Sequence, residues 1–224
     1  MRIYFRPLIN HLIADGKISL VKFLTLFFIF FLNLNVFSSP LSDGAERLIF
    51  VGEEISSPDV VERGVSLLKN GAYLNSDYDS LFSYSKFVRT GSVALNIQPD
   101  DAKANLILLR LVNLNYDPAI FDYAFYLLDG ESGFVKNELL SLTLFETSYE
   151  IHQNPKSAFM AAVIRNESIA PGTKNRNRII ELLTFASFKG FSPAQEYERD
   201  FLNKGYWQSI HPENWREWFA NFSN

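Results

Sequence analysis

Helix-start and helix-stop signals recur along this chain at nearly constant spacing, and that regularity constrains the fold more than any other feature. In FKGFSPAQEYERDFLNKG (residues 188–205) the Ser192 hydroxyl can accept from the free amides of a first helical turn. Pro193 lacks an amide that would otherwise go unsatisfied, and Gly205 is suited to the left-handed conformation that ends a helix. The same grammar appears upstream. Asp117-Pro118 opens PAIFDYAFYLLDG, closed by Gly130; Asn154-Pro155 opens PKSAFMAAVIRN, closed by Asn166; Asp79 opens SLFSYSKFVRTG, closed by Gly91. The openers at 79, 117, 154 and 192 lie 38, 37 and 38 residues apart, and the closers at 91, 130, 166 and 205 lie 39, 36 and 39 apart. A period in this range predicts stacked repeats of one supersecondary unit.

Each period also holds a preceding helix. Ser57-Pro58 begins PDVVERGVSLLKNG, Pro99-Asp100-Asp101 begins DDAKANLILLRLVNL, FVKNELLSLTLFETSYEI runs from Phe134, and NRIIELLTFASFKG ends at Gly190. Leu106, Ile107, Leu108, Leu109, Leu111 and Val112 surround almost the whole second of these, which predicts burial on several sides. Alternating apolar and polar runs joined by Asn-Gly or Asp-Gly turns are missing, so strands are not expected. The expectation is an all-α solenoid of about four stacked antiparallel helix pairs over residues 57–205.

The two ends read differently. Arg2, Arg6, Lys17 and Lys22 precede FLTLFFIFFLNLNVF, whose apolar core up to Asn33 is ten residues long, against about 20 for a membrane-spanning helix. A basic lead, a short apolar core and then small residues predict a secretory signal peptide over residues 1–38, cut between Ser38 and Ser39. An uncleaved signal anchor is the alternative. Residues 39–56 form a lead segment in which RLIFVG suits a helix or an added strand. In residues 206–224, HPENWREWFANF sets Trp215, Trp218, Phe219 and Phe222 at i, i+3, i+4 and i+7, an aromatic stripe suited to a capping helix. Its rival reading is an aromatic anchor for a partner.

Removing residues 1–38 takes Lys and Arg from 21 to 17 and Asp and Glu from 25 to 24, so the net charge goes from −4 to −7. Such a chain repels phosphate backbones, which excludes nucleic-acid binding. The absence of cysteine removes disulfides, thiolate nucleophiles, iron–sulfur clusters and a lipoprotein anchor.

ASFKGFSPAQ (Ala186–Gln195) resembles the junction of the Sel-one-like repeats, a branch of the tetratricopeptide-like superfamily, which reads small-small-x-x-Gly-aromatic-x-x-Ala-Gln. NLNYDPAIFDYAFYLLDG (Asn113–Gly130) is similar, with Tyr123-Ala124 where the family has Leu-Gly, and Ala158–Ala161 falls similarly in the third unit. The pattern is broken by Glu198-Arg199 near the expected Leu-Gly of the last unit and by Lys156 at an expected alanine. The resemblance implies a right-handed superhelix whose concave face binds proteins or peptides, with no catalytic residues to carry over.

Motifs with chemical meaning each have a plain structural reading. His152 and His211 are too few for a multi-histidine metal site, and His152 falls at a helix C-terminus, where an imidazole meets the dipole. Ser83–Lys86 fits Ser-x-x-Lys and Arg89-Thr90-Gly91 resembles Lys-Thr-Gly, yet the two are nearly adjacent and no Ser-Asp-Asn intervenes. Glu146 and Glu150, one turn apart, could act as acid and base, but on a helix flank such a pair is usually solvated. Lys174–Arg178 (KNRNR) is a dense basic cluster at a helix start, where positive charge is unfavourable. It reads as a solvated loop or as a contact for an acidic surface. Asn166 and Asn221 head glycosylation sequons, relevant in a eukaryotic secretory pathway.

These features lead to an exported, non-enzymatic protein-binding module without a cofactor or metal, periplasmic if the source is Gram-negative. The contact candidates are Tyr116, Phe121, Tyr123, Lys174, Arg176, Arg178, Trp215 and Trp218, and the acidic surface suits a basic partner. The alternatives are a cell-envelope hydrolase using Ser83 and Lys86 or a carboxylate pair, and a structural component of an envelope assembly.

Overall fold

The computed structural model describes residues 39–204 together with Trp218 and Phe219. The expected signal peptide, Gly205, Trp207, His211, Trp215 and Phe222 lie outside the described residues. Among the described residues nine helices follow one another: α1 (Pro40–Glu54), α2 (Pro58–Leu74), α3 (Tyr78–Thr90), α4 (Asp101–Asn113), α5 (Asp117–Asp129), α6 (Glu138–His152), α7 (Pro155–Ser168), α8 (Thr173–Phe188) and α9 (Ser192–Lys204). Each packs on the next from α1 to α9. Among the described residues there is no strand, and one isolated antiparallel bridge joins Ser92 and Ile97. The chain is an all-α, solenoid-like stack of helix pairs.

The second helix of each pair keeps the period. α3, α5, α7 and α9 begin at 78, 117, 155 and 192, and α1 begins at 40. The lead segment is therefore a helix, and a fifth member of the same series, opened by Ser39-Pro40 just as α9 opens with Ser192-Pro193. The third residue of each of these five helices is small and buried: Ser42, Ser80, Ala119, Ser157 and Ala194. A small side chain there lets the neighbouring helix approach closely. Opposite Ser80, a Cβ on Gly71 would fall 2.3 Å from the serine hydroxyl oxygen.

Polar groups link successive second helices one period apart. Ser83 donates to Glu46 Oε1 at 2.5 Å, the Tyr116 hydroxyl donates to Asp79, and Asn154 Nδ2 donates to Asp117 Oδ2 at 2.8 Å. Each pair is 37 residues apart in sequence. Most helix boundaries fall within a few residues of the start and stop signals, with four corrections. Tyr116, not Asp117, is the N-cap of α5, and its side chain makes no capping hydrogen bond. Asp77 caps α3 by accepting from the Asp79 amide at 3.2 Å, so Asp79 is a first-turn residue freed for Tyr116. Asn137 caps α6 by accepting from the Leu140 amide at 3.0 Å, which puts Phe134 outside the helix. α7 runs through Asn166 to Ser168 and ends on the extended Ile169. Gly91 and Gly130 do close their helices at φ 71° and 75°, and at Gly91 a Cβ would also meet the Ile97 carbonyl at 2.4 Å.

Burial separates two helices that look alike in composition. α4 is not buried on several sides: Ala104, Leu108 and Leu111 are buried, but Leu106 is 72% exposed. α7 is the enclosed helix, with every residue from Ala158 to Ile164 at 3% exposure or less. It packs between α6 and α8, and Trp218 stacks on its Phe159 with ring centroids 5.7 Å apart. Phe219, 4% exposed, meets Phe121 and Phe125 of α5, Phe159 of α7, and Phe191. These two side chains pack against the flank formed by α5, α7 and the approach to α9.

Candidate binding surface

The helices α6 and α8 present the densest set of functional side chains. Glu146 of α6 accepts from Arg165 Nε of α7 at 2.8 Å and from Arg178 Nε of α8 at 3.1 Å. Arg178 also donates to Glu150 at 2.6 Å and to Glu181 at 2.8 Å. Burial pushes the Glu146 carboxyl up, but the two guanidinium groups outweigh it and hold it below the usual carboxylate range. For Arg178 burial favours the neutral form, and Glu146 and Glu181 reverse this, so its charge is fixed.

Two expectations change here. Glu146 is not a solvated flank residue; it clasps three helices together. Nor does Arg178 of the basic cluster lie in a solvated loop, since it sits on α8 among three carboxylates, Glu181 of its own helix and Glu146 and Glu150 of α6. The other members differ. Lys174 and Arg176 are exposed, and Arg176 lies over the Phe201 ring at 5.4 Å.

Beside this ion network is an aromatic cleft of about 730 Å³ lined by Tyr149, Ile180, Glu181, Thr184, Phe185 and Phe188, among others. Tyr149 and Phe185 meet edge-on at 4.8 Å, Arg178 covers the Tyr149 ring at 5.2 Å, and the Tyr149 hydroxyl donates to Glu181 at 3.1 Å. Phe188 is 86% exposed at the mouth. An apolar floor with the Glu181 carboxylate at its edge suits a segment carrying apolar and basic side chains. Tyr149, Phe185 and Phe188 were not among the sequence candidates, although Phe185 and Phe188 stand one turn apart beside the stop at Gly190.

The remaining candidates are spread over the stack. Tyr116 is half-buried between Tyr78 and Phe82. Burial, the hydrogen bond to Asp79 and the charges of Asp79, Asp77 and Asp117 raise its pKa. Phe121 packs on Phe125 and Phe145, at 5.0 and 5.7 Å, and Tyr123 on Phe134 at 5.0 Å. These three rings, like that of Trp218, contribute to packing between helices, and none lines the α6–α8 cleft. Trp215 lies outside the described residues.

Ser83 and Lys86 line a second cleft, of about 490 Å³, with Glu46, Glu53, Phe50 and Val93. Ser83 is buried, and its hydroxyl gives its hydrogen to Glu46. The Lys86 ammonium instead sits 4.4 Å above the Phe82 ring. The side chains of this motif are therefore not joined as nucleophile and base. Glu53 takes hydrogen bonds from the Ser92 hydroxyl and the Ala94 amide, which orders the turn at the cleft edge.

No protein-family model, curated protein or solved structure matches this chain. Among the described residues, no group of three or more His, Cys, Asp or Glu side chains could hold a metal ion, and no helix is long and apolar enough to cross a membrane.

Proposed function

We propose that this chain is an exported, non-enzymatic protein-binding module, a divergent Sel-one-like repeat protein of the tetratricopeptide-like superfamily. It acts as an envelope adaptor or as an inhibitor that neutralises a secreted toxin. The observation that carries the reading is the aromatic cleft on α6 and α8, where exposed Phe188 lines the same wall as Glu181, a carboxylate held by Arg178. Such a surface selects a partner segment that is apolar and basic, with association that weakens as salt rises. Export rests on the basic, apolar and small-residue order of the leader.

The test is a lightly crosslinked pull-down from native envelope extract, washed at low and high salt, with the wild-type chain and a Phe188→Glu variant as paired baits. A stoichiometric partner kept by the wild type and lost by the variant supports the reading. No partner under either wash rejects it. Lys174→Glu with Arg176→Glu tests the exposed basic residues without disturbing Arg178, whose reversal would break the α6–α7–α8 clasp.

A second reading, an envelope hydrolase, is favoured by one observation, the placement of Ser83 in a cleft beside Glu46 and Lys86. Labelling by a serine-directed fluorophosphonate that disappears in Ser83→Ala would support it; absence of labelling on the folded chain would dismiss it.

A further inference from the structure

α1 is the first of the described helices, and one of its faces is bare. α3, α5 and α7 each pack between the helices before and after them, whereas α1 packs on α2 and α3. Its inner face is set by Ser42, Ala45 and Gly52, all buried, and closes tightly on α2, since a Cβ on Gly52 would meet Val61 at 2.6 Å. On the outer face, Gly44, Leu48, Val51 and Ile55 follow at helical spacing. Val51 is 47% exposed and Ile55 62% exposed, and a Cβ on Gly44 would meet open space. Arg47 and Glu54 run along one edge of this stripe, both exposed, and neither has an ion-pair partner among the described residues.

We propose that this face pairs with the same face of a second copy, two α1 helices crossing antiparallel about a two-fold axis. The charge pattern is what selects this occupant. Arg47 and Glu54 are seven residues apart, about 10 Å along a helix, and lie on the same side of the apolar line. A two-fold axis midway between them brings Arg47 of each copy opposite Glu54 of the other and sets Val51 against its own image. A patch that complements itself in both apolar line and charge is an isologous interface. Gly44 lets the two backbones come close, as Gly52 and Gly64 do between α1 and α2. The interface involves a single helix from each copy, so the dimer is weak and its two cleft-bearing α6–α8 faces remain uncovered. This pairing does not depend on the proposed partner or on Phe188.

Sedimentation equilibrium of the chain recovered after export, its N-terminus fixed by intact mass, tests the pairing. The expected result is a monomer–dimer equilibrium with a dissociation constant on the order of 10 µM. Val51→Lys should weaken it at least about tenfold without lowering the thermal midpoint, because that side chain packs outward. Arg47→Glu and Glu54→Arg should each weaken it several-fold, and the two combined should restore it, since only a reciprocal pairing survives the exchange. A monomer at every concentration up to about 200 µM overturns the proposal. So does a dimer indifferent to Val51→Lys, or a double exchange no tighter than its single members.

Discussion

The two halves of the stack share a period but differ in how continuous their cores are. From α5 onward, one continuous cluster of 20 buried residues runs through α6, α7, α8 and α9 and takes in Phe219 from the tail. From α1 to one face of α5 the apolar contacts divide into clusters of 8 and 7 buried residues, and hydrogen-bonded acids tie the helices across the gaps: Glu46 with Ser83, Glu53 with Ser92, and Asp79 with Tyr116. The spacing of a helical repeat is thus set by caps and small residues, while what fills the space is chosen locally. The aromatic filling of the second half makes one continuous core, whereas the first half holds two smaller apolar clusters bridged by hydrogen-bonded acids.

The widest expected difference lies at the centres of the two fillings. Phe159 is fully buried against Phe191, Tyr197, Trp218 and Phe219. Phe159→Ala should lower the unfolding free energy by about 3–5 kcal/mol in urea denaturation. Phe82 belongs to the smallest cluster and is 8% exposed, and Phe82→Ala should cost less, about 2–3 kcal/mol. Equal losses would mean that the two halves are one core after all.

Next comes the clasp on α6. Glu146→Ala leaves the half-buried Arg165 and Arg178 guanidinium groups without the carboxylate they share and should cost about 1–3 kcal/mol. The same residue gives the pH dependence its sign. Its pKa is lower folded than unfolded, so its ionised form stabilises the protein above the unfolded carboxylate value. That contribution is lost as the pH falls through the folded value. The thermal midpoint should therefore drop between about pH 6 and pH 3, and drop less in Glu146→Gln. An unchanged acid profile in the variant would show that other carboxylates carry the effect. By contrast, Ser83→Ala, which removes one of the polar ties of the first half, should cost about 1 kcal/mol.

Helix identity and period could be read from the sequence because caps are local. Asp100, Asn154 and Gly130 act on the turn in which they sit. α1 carried the same Ser-Pro signal at Ser39-Pro40, but small residues there also mark the end of a signal peptide, and the two meanings overlap. The first helices of the pairs begin at 58, 101, 138 and 173, a much less even series. Part of the cause is the loop between α3 and α4, where Ser92 and Ile97 pair and lengthen one unit. The candidate surface was less legible. Arg178 meets its carboxylates at separations of 28 and 32 residues, and nothing in KNRNR announces a partner that far away. Tyr116 and Phe121 looked available because aromatic character alone does not distinguish a ring at a surface from one between two helices.

The smallest effect is expected at Leu106, and it bears on the same comparison. By composition α4 is the most continuously apolar first helix, and a core position would be the natural assignment for a leucine in the middle of it. The structure turns this side chain outward, 72% exposed, above a cleft shared with Leu109, Leu114 and Tyr78. Exchange for glutamine removes little buried surface and strands no polar group, so Leu106→Gln should shift the unfolding free energy by no more than about 0.5 kcal/mol. The same exchange at Leu108, two residues on and 2% exposed, buries an amide without a partner and should cost several times as much. The pair of measurements reads the orientation of α4 directly. Comparable losses at both positions would place Leu106 under cover, and the first half of the stack would then have a deeper core than its two small clusters provide.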